Sequence, residues 1–137
     1  MIRQSFTIDG YAWHVEVWYA VDRYYTAAIM NSLVCAGCSG RKLHEAYGNL
    51  SSGKLNTGLT YSDFGRRMTV MVIALPSCAA EFENSLNHEL KHLVSHIEQT
   101  DGIDPWGEQA AYLMGDISMK MYPVARMFLC GGCRRHE

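Results

Sequence analysis

Phe82-Glu83-Asn84-Ser85-Leu86-Asn87-His88-Glu89-Leu90-Lys91-His92-Leu93-Val94-Ser95-His96-Ile97 is the stretch from which the rest of the chain is read. Phe82, Leu86, Leu90, Leu93 and Ile97 recur at helical spacing and form one apolar stripe. This predicts a helix over about 78–99, opened by Pro76-Ser77 and broken by Asp101-Gly102. At about 100° per residue, His88 and His92 lie roughly 140° from the centre of that stripe. One face can therefore pack on a sheet while another presents two imidazoles. Residues four apart share a helix face, so His88 and His92 can chelate one Zn²⁺. Glu89 points beside the ion, where a general base for an activated water must sit.

Upstream, Met68 to Leu75 is a dense run rich in β-branched residues, read as a buried strand. Residues 4–20 read as a β-hairpin turning at Asp9-Gly10. In its second arm Tyr11, Trp13, Val15, Val17 and Tyr19 alternate with Ala12, His14, Glu16 and Trp18, so the odd-numbered face turns to the core. Asp22 can cap a helix to about Cys35, and Ser39 a shorter one to Leu50. Residues 51–60 are rich in turn formers and read as an exposed loop. Downstream, Asp104-Pro105 opens a last helix to about Met121, with a tail from about 124. The expected class is α+β in one domain, 1–137. A small antiparallel sheet, built from the hairpin and the strand near 68–75, packs against the H-E-x-x-H helix and an antiparallel partner helix.

Composition narrows the possible partners. Of 137 residues, 48% are hydrophobic and 19% charged, an ordinary globular balance. A net charge of −2 argues against a general nucleic-acid binder. No apolar run is long enough to span a membrane, and the first residues lack the apolar stretch of a signal peptide. The expected location is the cytoplasm. Oligomeric state is left open.

A zinc site needs a third protein ligand. His96 continues the i, i+4 series, but eight residues from His88 give about 12 Å of rise, too far for one ion. His96 is read as a surface or supporting histidine. Glu108 is the better candidate: it lies in the first turn of the next helix, and Ala110 and Ala111 beside it permit close helix approach. Asp101, Asp104 and Asp116 are the other carboxylates nearby, with Asp104 more simply a helix cap.

A helix bearing His88-Glu89-x-x-His92, followed by a helix bearing Glu108, resembles the gluzincin type of zincin metallopeptidase. The chain is closer still to small H-E-x-x-H proteins of bacteria and their phages. The likeness lies in Glu81-Phe82-Glu83-Asn84 before the motif and in Glu108 to Gly115 after it, and covers about residues 56–121. It implies hydrolysis of peptide or protein substrates, a Zn²⁺ cofactor held by His88, His92 and Glu108, and Glu89 as general base. It also implies an antiparallel edge strand near the site, a place offered by the strand 68–75. The chain departs from the pattern at Tyr112, where many gluzincins carry Asp. Tyr112 is read as a core tyrosine, with an oxyanion donor as the alternative. The long metzincin extension is absent, its positions holding Ser95 and Glu98.

Cys35-Ala36-Gly37-Cys38 and Cys130-Gly131-Gly132-Cys133 could share a second zinc, although 91 residues separate the pairs. Free thiols are the simpler expectation, and Cys78 reads as a small buried residue. The rival to a peptidase is a non-catalytic zinc protein of phage or mobile-element origin, in which the same ligands fix a fold or a partner surface.

Overall fold

The structure, a computed structural model, describes residues 2–22 and 25–134, with side chains to 129. It is α+β: β1 (Ile2–Ile8), β2 (Trp13–Val21), α1 (Thr26–Cys35), α2 (Gly40–Ser52), β3 (Gly58–Asp63), β4 (Met68–Ala74), α3 (Ala79–Asp101) and α4 (Glu108–Arg134). The four strands form one sheet in the order β1-β2-β4-β3. β1 and β2 pair as the expected antiparallel hairpin, though Ile8 pairs with Trp13, so the turn holds four residues rather than two. Gly10 and Ala12 take positive φ within it.

The inner pairing differs from the expectation of an antiparallel sheet. β2 and β4 run parallel, and β3 pairs antiparallel with β4. β4 is thus an inner strand rather than the edge. Its dense apolar run follows from burial on both faces. The edge on that side is β3, in and just beyond the stretch read as a loop. Gly58-Leu59-Thr60-Tyr61-Ser62-Asp63 alternates apolar Leu59 and Tyr61 with polar Thr60 and Ser62, a period of two that turn-forming neighbours obscured.

Helices cover both sheet faces. Trp13, Val15, Val17, Tyr19, Met71 and Ile73 pack against Phe82, Leu90, Leu93 and Ile97 of α3 and Leu113, Ile117 and Met121 of α4. The odd-numbered face of β2 is therefore the one turned to this core. On the other face Trp18, Val70 and Val72 meet Ile29 and Leu33 of α1 and Ala46 and Leu50 of α2. α3 lies against β4 and β3, and α4 against α3 and β1.

Several boundaries moved. α1 begins at Thr26, later than a cap at Asp22 would place it. α4 does not stop before Pro123 but runs through it to Arg134, so the supposed tail from about 124 is helical. Pro123 removes the N–H that would bond the Met119 carbonyl. The helix continues because Val124, Ala125 and Phe128 still pack on the core. Among the described residues no helix is long and apolar enough to cross a membrane.

Candidate metal centre at the sheet edge

α3 carries His88 and His92 on its solvent side, both exposed, near the middle of the helix. Their Nε2 atoms are 3.3 Å apart and their ring centroids 5.0 Å apart. Two imidazoles bound to one tetrahedral zinc at about 2.0–2.1 Å place their donor atoms about 3.3–3.4 Å apart and their ring centres about 5 Å apart. The pair therefore fits two corners of a zinc tetrahedron. His96 does not join them: its ring centroid is 6.5 Å from that of His92.

Glu89 faces inward, only 2% exposed. Its two carboxylate oxygens accept hydrogen bonds from the hydroxyls of Thr57 and Thr60, each at 2.7 Å. These threonines stand at and just before the start of β3, so the motif glutamate ties α3 to the edge strand. Between them Gly58 takes φ +148°, and a Cβ there would meet the Val72 carbonyl oxygen at 1.8 Å and Glu89 Cγ at 3.3 Å. Only glycine lets the strand start this close to both β4 and the glutamate. Thr57, Gly58 and Thr60 were missed as site residues because they fell in the stretch read as loop.

His96 is half-buried, one turn beyond His92. Its Nδ1 lies 2.6 Å from Ser62 Oγ, Ser62 Oγ lies 2.7 Å from Thr69 Oγ1, and Trp13 Nε1 donates to Thr69 Oγ1 at 2.8 Å. A chain of hydroxyls thus leads from the sheet interior to the imidazole. Burial holds the His96 pKa below the usual histidine value, and the charges of His92 and Lys42 push it the same way.

The open edge of β3 borders this helix face. The Ala74 N–H donates to the Thr57 carbonyl, and the register pairs Gly58 with Ile73 and Thr60 with Met71. In an antiparallel ladder the bonding direction alternates along the strand. Gly58, Thr60 and Ser62 therefore turn their N–H and C=O groups away from β4, and among the described residues these outward groups find no partner. Beyond them is a cavity of about 390 Å³ whose walls include Lys42 and Glu45 of α2, Leu59 and Tyr61 of β3, and His96 of α3. Side chains from both sheet faces reach it, so it sits off the strand edge, between α2 and α3.

Glu108 is not brought to the imidazoles. α3 continues nine residues past His92, about 13.5 Å. Glu108, the exposed first residue of α4, follows the turn at the far end. Among the described residues no group of three His, Cys, Asp or Glu could hold a metal ion. Asp101 is engaged instead by the Arg67 guanidinium at 2.7 and 3.0 Å, and Asp104 accepts from the Trp106 N–H. Tyr112 is 68% exposed on the outer side of α4, which corrects its reading as a core tyrosine. Cys78 is exposed just before α3, not buried. Cys35 is exposed and Cys38 buried, with burial raising the Cys38 pKa. The side chains of Cys130 and Cys133 lie outside the described residues, and with them the idea of a zinc shared by the two pairs.

No known protein family, curated protein or solved structure matches the chain.

Proposed function

We propose that the chain is a zinc-dependent peptidase that takes an extended polypeptide along the open edge of β3. One observation carries this reading. The Glu89 carboxylate, held by Thr57 and Thr60, ties α3 to the start of β3, and the same helix carries a zinc-compatible imidazole pair beside unpaired strand backbone. An edge strand recognises main chain, and the outward N–H and C=O groups of Thr60 and Ser62 would hold a peptide bond in register. His88 and His92 would hold zinc, which when bound supplies a Lewis acid and a more acidic water. Glu89 Oε1 or Oε2 would take the proton of the attacking water and return it to the departing amine. The cavity between α2 and α3 would receive a substrate side chain.

A catalytic zinc takes three protein ligands. Glu108 is our proposed third, and its arrival requires the first turn of α4 to leave its present place. A second reading, a non-catalytic zinc protein, is favoured by the burial of Glu89 and the full engagement of both its oxygens.

Zinc content and turnover separate these readings. We expect one zinc per chain, lost in His88→Ala and lowered in Glu108→Ala, and cleavage of unfolded protein substrates that Glu89→Gln abolishes while zinc is retained. Zinc binding without Glu89-dependent cleavage leaves the non-catalytic protein. Full zinc content in His88→Ala removes both readings.

A further inference from the structure

The outer face of α4 carries a seam of its own, which shares only Glu108 with the proposed metal centre. Glu108, Tyr112, Gly115, Met119, Tyr122 and Arg126 are all exposed, and their spacings run 4-3-4-3-4. That is the heptad spacing of a helix face that packs on another helix. The stripe lies opposite the face that α4 buries through Ala110, Leu113, Ile117, Met121 and Ala125. Tyr112 is 68% exposed, Met119 73% and Tyr122 57%, unusual for residues of this size. Together they expose about 400 Å² per copy, the size of patch that marks an interaction site on a soluble protein.

The spacing is palindromic, and this identifies the occupant. When two α4 helices run antiparallel about a twofold axis at position 117, each seam residue meets a defined mate. Tyr112 faces Tyr122 of the second copy. Gly115, with nothing within 4 Å of where its Cβ would be, faces Met119 as a hole faces a knob. At each end Glu108 faces Arg126 of the second copy, and neither forms an ion pair among the described residues. The seam is about 27 Å long. Its three large side chains alone bring about 800 Å² from two copies. The charged ends and the flanking helix surface carry the total past the roughly 1,000 Å² that a specific interface requires.

We propose that the chain forms an antiparallel, twofold homodimer through this face of α4. A self-complementary patch is what a twofold interface demands, because each residue must find its mate on an identical surface. The glutamate, tyrosine and glycine of the stretch 108–115 then have a common role on one helix face.

Sedimentation equilibrium on metal-free protein tests the proposal, so that the outcome does not depend on whether Glu108 also serves a metal. The wild-type chain should move from monomer to twice the monomer mass over micromolar concentrations. Glu108→Arg and Arg126→Glu should each weaken the dimer about tenfold or more, since each breaks two pairs and sets like charges together. The double variant, with charges exchanged, should recover dimerisation to within about threefold. Circular dichroism checks that each variant is folded. A wild-type chain monomeric at 100 μM or above, about the weakest affinity such an interface would show, overturns the proposal. So does a dimer that neither single exchange weakens.

Discussion

Replacing Thr60 by valine tests the clamp on Glu89, on which both the placement of α3 and the proposed chemistry depend. Valine keeps the volume and branching of threonine, so packing and strand preference are nearly unchanged. What disappears is one hydroxyl donating at 2.7 Å to a carboxylate that is 2% exposed. A hydrogen bond to a charged group contributes about 1.5–3 kcal/mol, and leaving a buried acceptor short of a donor lies at the upper end. For a chain of this length that is a melting-temperature loss of roughly 5–12 °C. Thr57→Val should cost a similar amount, because its bond to the other oxygen is equally short. The double variant should cost more than the sum, since the carboxylate then has neither donor. In a Glu89→Gln background the acceptor is neutral, and the Thr60→Val penalty should fall to about 1 kcal/mol. Urea titrations of the wild-type chain and these five variants, followed by circular dichroism in EDTA, measure these terms. Single losses below about 0.5 kcal/mol would show that water, not the threonines, solvates Glu89, and would refute the clamp.

Two further outcomes follow from the same corner of the fold. Gly58→Ala should destabilise the chain by more than 3 kcal/mol, since a Cβ would sit 1.8 Å from the Val72 carbonyl oxygen at a φ of +148°, and thermal melting reads this directly. Lowering the pH should weaken the fold through His96. Its folded pKa lies below the unfolded value near 6.5, so the neutral imidazole contributes stability that is complete above about pH 6.5 and is lost as the pH falls below it. Urea midpoints at pH 7.5 and 5.5 should therefore differ less in His96→Gln than in the wild-type chain.

The parts of this protein that the sequence made legible are those with a strong local period. The α3 stripe from Phe82 to Ile97 places four of its five members, all but Leu86, in the fully or nearly fully buried core, and puts His88 and His92 on the exposed side. The alternation in β2 likewise picks out Trp13, Val15, Val17 and Tyr19. What stayed hidden depends on residues distant in sequence. β3 is a strand because β4 lies beside it, and its Ser-, Gly- and Asn-rich approach looks like loop to any local rule. The parallel pairing of β2 with β4 follows from a crossover of α1, α2 and β3, which no periodicity encodes. The span from His92 to Glu108 is ambiguous for a related reason. Sixteen residues can fold a carboxylate back onto an imidazole only if α3 stops early. Here Leu93, Val94 and Ile97 have apolar surface to bury against α4 and the sheet, and that burial extends the helix to Asp101. Hydrophobic packing of the last turns of α3 and the proposed liganding of a metal by Glu108 would thus draw on the same segment in opposite directions. If Glu108 does close a zinc site, zinc should be bound at the expense of the α4 N-terminal turn. Amide hydrogen exchange at Gln109 to Tyr112 should then quicken on adding zinc, whereas unchanged protection with zinc bound would exclude Glu108 as its ligand.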